Sequence, residues 1–340
     1  MKVMVTGGGG FLGKRIVELL IEAGHEVHSF ARSNYPELAD LGCTHHRGDL
    51  QDADAVREAL RGMDAVIHTA SVAGSWGERS WFEGINVRGT ENVVAACQAE
   101  SVHRLVYTST PSVIGYGSDV EGIAEAPYPD SWESLYGETK AKAEQHVRAA
   151  HGSDLADGGQ LLTVSLRPHL IVGPGDNHLL PRVIDRAKKG QLRIVGDGKN
   201  KVDVTYVDNA AWAHLDALEA LSGIDAPCGG QAYFISNDEP VLLWDWTNDV
   251  LEGIGVPRLT SKVSLGMAKL AGSVMEGVWA LFRLKGEPRM TRFVALALAQ
   301  SHWYDMGPAK RDLGYTIRVP MDEGTERTVA WAKKALVGAS

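Results

Sequence analysis

The chain has 340 residues, 44% apolar and 23% charged, which suits one large two-lobed globular unit and excludes fibrous and disordered classes. A formal net charge of −9 gives no global attraction to nucleic acid, so no nucleic-acid partner is expected. Three cysteines, Cys43, Cys97 and Cys228, are too few and too dispersed for a disulfide framework or a metal site; a reducing setting and no metal are expected.

The sequence starts at once on a strand, KVMV, which leaves no room for a secretory signal, and a cytoplasmic protein is expected. Thr6 ends that strand. The spacing of Phe11, Leu12, Ile16, Leu19 and Leu20 then predicts a helix. Between them stands GGGG. Gly7 suits a tight turn at positive φ, Gly10 lets backbone N–H groups approach a pyrophosphate, and Gly13 lets the helix lie close on the sheet. Strand, glycine turn and helix in immediate succession predict a dinucleotide site.

The next strand, HEVHSF, ends where an acid commonly holds the adenosine ribose of NAD. The chain offers Ala31, Arg32 and Ser33 instead. Ala31 removes the repulsion of a 2′-phosphate, and Arg32 supplies a planar, permanently charged fork that matches one. Lys14 is a candidate second cation. The segment therefore reads as an NADP(H) site, the plainer alternative being a solvated surface arginine. A third strand ends before Asp49, which is placed to accept from an adenine amino group. A fourth is MDAVIHTA, with Ala70 small enough to let the cofactor pass. HRLVYTST and LLTVSLRP are a fifth and a sixth. Helical patterns lie between the strands, for example at 54–60 and 89–97, so the fold class is α/β, a Rossmann-type doubly wound parallel sheet. Its binding crevice belongs at the carboxyl ends of the strands.

After the fifth strand come TSTPSV, a Gly- and Pro-containing loop, and SLYGETKAKAEQHV. Tyr136 and Lys140 are four apart, hence on one helix face. A phenol is a weak acid–base catalyst at its free pKa, and a neighbouring ammonium favours the phenolate. Thr110 supplies a hydroxyl for the substrate oxygen. This trio suits carbonyl or alcohol chemistry with a nicotinamide, since no side chain carries a hydride.

The chain resembles the extended short-chain dehydrogenase/reductase superfamily. The resemblance rests on the glycine loop, VIHTAS, NVRGT (86–90), YTSTPSV and YGETK, and it runs on through RPHLIVGPGD (167–176) and TYVDNAAWAH (205–214). Within it the chain looks like the 3β-hydroxysteroid dehydrogenase branch, which includes sterol-4α-carboxylate 3-dehydrogenases and the bacterial 2-alkyl-3-oxoalkanoate reductases of long-chain olefin biosynthesis. KVDVTYVDNAA, YFISNDEP, GEPRMTRF and HWYDMGPAKRDLGY look closest to the last group. The resemblance implies Tyr136 as proton donor or acceptor, Lys140 as its partner, and Thr110 as the hydroxyl, with Ser109 beside it as the other choice. Asn86 matches an Asn near the active-site helix. Ile114 stands where many sugar-nucleotide members have Tyr, which counts against an epimerase. A homodimer through the helices beside Asn86 and Tyr136 is implied as well.

The resulting expectations are these. Residues 1–168 form the NADP-binding domain, with returns to the sheet near 204–217 and 231–236. Residues 169–335 form mainly a smaller C-terminal substrate-binding lobe. Cofactor contacts are Gly7, Gly10, Phe11, Gly13, Arg32, Asp49, Leu50, Ala70, Tyr136, Lys140 and Pro168. In the second lobe, 263–284 has Val263, Met267, Leu270, Val274, Val278 and Leu281 at helical spacing and Lys269, Glu276 and Arg283 on another face. That helix reads as a lid or core helix over an apolar substrate, or as a surface that, with the basic residues up to 292, meets a membrane or partner enzyme. The expected activity is NADPH-dependent reduction of a long-chain 2-alkyl-3-oxo acid. The alternatives are a 3β-hydroxysteroid or sterol-4α-carboxylate dehydrogenase and a non-catalytic NADP(H)-binding scaffold. Candidates for the substrate carboxylate are Arg182, His169, His178 and Lys201.

Overall fold

The computed structural model describes residues 1–337. Its main sheet has seven strands: β1 (Lys2–Thr6), β2 (Glu26–Ala31), β3 (Thr44–Arg47), β4 (Ala65–His68), β5 (Arg104–Thr108), β6 (Leu162–Pro168) and β7 (Ala232–Ile235). All pair in parallel, in the order β3-β2-β1-β4-β5-β6-β7. The chain thus winds outward in one direction from β1 and in the other from β4, and the reversal leaves a crevice above the carboxyl ends of β1 and β4.

Alternation along the strands dictates the layers. Val3, Val5, Ile67 and Val106 face one side, where Ile16 and Leu20 of the helix Phe11–Glu22 and Leu215 and Leu218 of Val207–Ala220 cover them. Met4, Val66, Leu105 and Tyr107 face the other side, against Leu60 of Ala53–Leu60, Val93 of Gly89–Ala99 and Val147 of Leu135–Ala149. Both faces are buried, as a parallel sheet requires. The doubly wound class read from the sequence is the class observed.

A second lobe stands over the carboxyl ends. It contains a four-stranded sheet, Val241–Leu242, Lys201–Val202, His302–Tyr304 and Val120–Ile123 in that order, and the helices Leu179–Lys188, Leu243–Gly253 and Arg292–Ala299. The strand Val120–Ile123 comes from the Gly- and Pro-containing segment between Thr110 and Tyr136, where the sequence predicts only loop. It pairs with Val120 against His302, so nothing local marks it.

The amphipathic segment forms the helix Leu265–Phe282, started by the Ser264 hydroxyl accepting from the Met267 N–H at 3.3 Å. Its orientation corrects the expectation of a core or lid helix. Ala268 and Gly272 face the protein, and a Cβ on Gly272 would lie 2.7 Å from the Thr291 carbonyl carbon. Met267, Leu270, Val274, Val278, Leu281 and Phe282 point outward, with Leu281 76% exposed. The small-residue face wins because only it permits close approach to Arg292–Ala299. Among the described residues no helix is long and apolar enough to cross a membrane.

Candidate active site

A cavity of about 390 Å³ opens at the crevice between β1 and β4. Its wall includes Gly7, Gly10, Phe11, Gly13, Arg32, Asp49, Leu50 and Ala70 of the expected contacts. The glycines are required by geometry. Gly7 has φ +73°, and a Cβ on Gly13 would lie 2.2 Å from the Gly7 carbonyl oxygen. The Gly10 N–H donates to the Gly7 carbonyl at 2.9 Å, and Gly10 caps the helix Phe11–Glu22, whose first turn carries no acid. A bare helix N-terminus facing a glycine-walled cavity fits a pyrophosphate. Ser33, Tyr35, Thr69, Ser71, Ile171 and His178 also line it. Ser33, Tyr35, Thr69 and Ser71 follow strand ends, the one signal that could have marked them beforehand, whereas Ile171 begins a short strand and His178 stands just before the helix Leu179–Lys188.

Arg32 stands exposed just beyond β2, its guanidinium 4.7 Å from the centroid of the Trp81 ring. The Arg47 guanidinium comes near, its Nε donating to the Arg32 carbonyl at 3.0 Å. The expected second cation, Lys14, lines a different cleft with Arg15, Glu18 and Asp208. Gly13 faces Gly7, and the next helical position is turned roughly 100° away from the dinucleotide cavity.

Tyr136 and Lys140 lie in the first half of Leu135–Ala149, started by the Ser134 hydroxyl accepting from the Gly137 N–H at 3.1 Å. Neither they nor Pro168 line the dinucleotide cavity. Lys140 is buried, and its Nζ donates to the Thr108 carbonyl at 2.6 Å. Thr108 is on the cavity wall, so the ammonium sits just behind it. Burial pushes the Lys140 ammonium down to about 7, against the opposing charge of Glu144. Tyr136 is pushed up to about 12 by burial, while the neighbouring Thr110 hydroxyl pulls it down. The expected lowering of the phenol by Lys140 is not what the geometry gives: the ammonium is committed to Thr108, and burial dominates. Thr110 begins the turn Pro111–Ile114, and its hydroxyl donates to Ser112 Oγ at 3.3 Å. Ser109, the alternative hydroxyl, is buried on the Glu144 side.

The helix is held in place by groups the mechanism does not consume. Asn86 donates to the Val72 carbonyl and to Thr139 Oγ1, both at 3.1 Å, tying the loop after β4 to the Tyr136 helix. One turn beyond Lys140, Glu144 is fully buried and accepts from Arg167 Nε at 2.9 Å and from the Tyr128 hydroxyl at 2.6 Å. Burial alone would raise the Glu144 carboxyl; the Arg167 guanidinium overrides this and holds it below the usual range. Of the carboxylate candidates, Arg182 pairs with Glu287 at 2.7 Å, Lys201 is exposed, and His178 lines the dinucleotide cavity. His169 is buried, its Nδ1 donating to the Asp203 carbonyl at 2.6 Å.

Residues 4–266 match the 3-beta hydroxysteroid dehydrogenase/isomerase family. The chain belongs to this family. It is 50% identical over 333 residues to a 2-alkyl-3-oxoalkanoate reductase of Stenotrophomonas maltophilia, covering 97% of this chain and 99% of that one. Its identity to the protein of that description from Shewanella oneidensis is 46%, over 96% and 85% of the two chains. It is 34% identical to the decarboxylating sterol-4-alpha-carboxylate 3-dehydrogenase of Mus musculus, over 96% and 90%. Among solved structures it is similar to MoeE5 in complex with UDP-glucose and NAD, with TM-score 0.74, 26% identity, and 99% and 100% coverage. The family is one of oxidoreductases, and the relatives match this chain over nearly its whole length.

Proposed function

We propose that the protein is an NADPH-dependent reductase that converts the 3-oxo group of a long-chain 2-alkyl-3-oxoalkanoic acid to the 3-hydroxy group. The observation that carries the reading is a glycine-walled dinucleotide cavity whose wall residue Thr108 accepts from Lys140, with Thr110 two residues further on hydrogen-bonded to Tyr136. Residues 1–168 act as the cofactor domain and 169–335 mainly as the substrate lobe. Gly7, Gly10 and Gly13 hold the pyrophosphate, Arg32 the 2′-phosphate, Asp49 and Leu50 the adenine side, and Lys140 the nicotinamide ribose. When bound, the nicotinamide supplies the hydride that no side chain can carry.

Thr110 donates to the substrate oxygen and Tyr136 gives that oxygen its proton. A protonated phenol is the form ketone reduction consumes. Reduction also removes the β-keto group whose carboxylate would otherwise leave as CO₂. The similarity to the sterol enzyme supports a second reading, oxidation of a 3-hydroxy group β to a carboxylate, with the same residues run in reverse.

The outward apolar stripe from Met267 to Leu284, flanked by Lys269, Arg283, Lys285 and Arg289, supports peripheral contact with an anionic lipid surface. A homodimer through the helices carrying Asn86 and Tyr136 belongs to the same reading, and light scattering tests it. The activity is tested by nicotinamide absorbance, offering NADP⁺ or NAD⁺ with a long-chain 2-alkyl-3-hydroxy acid, a 3β-hydroxysteroid and a 4-carboxysterol. Turnover of the alkyl acid with NADP⁺ is expected; turnover only of a sterol with NAD⁺ overturns both the substrate and the cofactor.

A further inference from the structure

Beside the dinucleotide cavity lies a second one, of about 220 Å³, between the helices Leu179–Lys188, Leu243–Gly253 and Arg292–Ala299. That is far more than the ~15 Å³ needed for one water. Its walls are dry. Besides aliphatic side chains, it is lined by Trp244, Trp246 and Thr247, and each spends its one polar hydrogen elsewhere. Trp244 Nε1 donates to the Leu298 carbonyl at 3.1 Å, Trp246 Nε1 to Thr325 Oγ1 at 3.0 Å, and the Thr247 hydroxyl to the Leu243 carbonyl at 2.7 Å. No side chain on the wall is left with a donor to offer, so the cavity suits a hydrocarbon and not a sugar, a nucleotide or a carboxylate.

Three links join this cavity to the reacting centre. Leu170 lines it while the next residue, Ile171, lines the dinucleotide cavity; Leu179 and His178 divide in the same way. Val294 lines it while the preceding Phe293 packs edge-on against Tyr116 at 5.1 Å, and the Tyr116 hydroxyl is 3.4 Å from Ser112 Oγ, the partner of Thr110. Leu170 itself adopts φ +38°, a left-handed conformation that an L side chain resists. Strain of this kind gathers at ligand clamps, and here it turns one leucine of the partition into the apolar cavity.

We infer that this cavity is the alkyl-chain subsite: one hydrocarbon tail of the substrate enters past Leu170 and Phe293 and lies between Val183, Trp246 and Ala297 while its oxo group meets Thr110 and Tyr136. The inference rests on the function proposed above for the site it deepens. It makes the cavity a chain-length gauge. Each methylene buried there improves kcat/KM about fourfold until the cavity is full, after which the series flattens.

The test fills the cavity from two separate helices, with Ala297→Phe and Val183→Phe, and follows a series of 2-alkyl-3-hydroxy acids of increasing chain length with NADP⁺. In either variant the ratio of kcat/KM for the longest to the shortest acid is expected to fall at least tenfold, with the plateau reached several carbons earlier. A ratio unchanged in both, or an equal loss for every acid, overturns the subsite. Calorimetric titration with dodecanoate supplies a readout that does not depend on turnover. Dodecanoate binding weakened at least tenfold by either substitution supports the subsite even if the wild type oxidises none of the hydroxy acids, an outcome that sinks the proposed reaction alone. Dodecanoate binding that neither substitution weakens, or none in the wild type, overturns it. NADP⁺ affinity and thermal midpoint, read alongside, identify a variant that has failed to fold.

Discussion

Replacing Arg32 by Ala isolates the question of which nicotinamide cofactor the protein selects. The side chain is exposed at the rim of the dinucleotide cavity and lies 4.7 Å from the Trp81 ring centroid, an arrangement that holds the fork in place at a gain of ~0.5–1 kcal/mol. A charge-assisted bond between guanidinium and phosphate contributes ~1.5–3 kcal/mol, and exposure here argues for the lower end. Arg32→Ala is therefore expected to weaken NADPH binding roughly 10–30-fold while NADH, which lacks the 2′-phosphate, changes less than about twofold. Arg32→Lys keeps the charge and loses the fork, and should fall between the two. The assay is fluorescence titration of both cofactors at low and high salt, and the NADPH advantage should shrink as salt screens the exposed pair. Equal weakening for NADPH and NADH, or no change for either, would refute the assignment of Arg32 to the 2′-phosphate.

Four further outcomes follow from the same geometry. Tyr136→Phe should lower kcat about 10²–10⁴-fold with cofactor affinity retained, measured by stopped turnover and titration; undiminished kcat would remove Tyr136 from proton transfer. Glu144→Ala leaves the buried Arg167 guanidinium unpaired and should destabilise the fold by ~3–5 kcal/mol in urea denaturation. The buried Asp203 carboxyl is pushed up to about 7 by desolvation, so its contribution to stability is whole below the unfolded value near ~4 and is lost as pH rises through 7. Asp203→Asn keeps an acceptor for the Tyr304 N–H at 2.9 Å, and its stability advantage over wild type should grow by about 2–3 kcal/mol between pH 5 and pH 8; a constant difference would sink the argument. Vesicles of phosphatidylcholine with phosphatidylserine should float the wild type, and Leu270→Ser with Leu281→Ser should abolish this; flotation that survives the double change would clear the helix of that role.

The main sheet was legible because its strands are short apolar runs, most of them ended by glycine or hydroxyl residues, and because their alternation with helical periods leaves only a parallel, doubly covered arrangement. Gly7 and Gly13 were legible because backbone geometry admits no substitute: one needs φ +73°, and the other has the Gly7 carbonyl where a Cβ would go. The placement of Tyr136 and Lys140 on one helix followed from their spacing. What the sequence hid was mostly direction. Periodicity drew the stripe on Leu265–Phe282 but could not say that Gly272 would set the opposite face against the protein. Lys14 read as a cavity cation because adjacency in sequence conceals a turn of roughly 100° per residue. The strand Val120–Ile123 and the Lys140–Thr108 bond depend on partners contributed by other elements, which no local pattern announces.

The buried charges explain why the site can be stiff and yet keep Lys140 out of an ion pair with Glu144. Lys140 and Glu144 are one turn apart on the same helix, both buried, and left alone they would neutralise each other. Arg167 prevents this by engaging the carboxylate itself, with Tyr128 adding a hydroxyl from another side. Glu144 thus offers Lys140 only a distant charge, enough to oppose burial but not to capture the ammonium, which turns the other way and donates to Thr108 behind the dinucleotide cavity. The same strand end that accepts this bond leads within two residues to Thr110, and through Ser112 and Tyr116 to Phe293 at the mouth of the dry cavity. Charge stands behind the wall of the dinucleotide cavity, and a run of contacts from Thr110 ends at Phe293, next in sequence to a residue lining the apolar cavity. A ligand that is polar at one end, apolar at the other and carries an oxo group between them is the shape that uses all three.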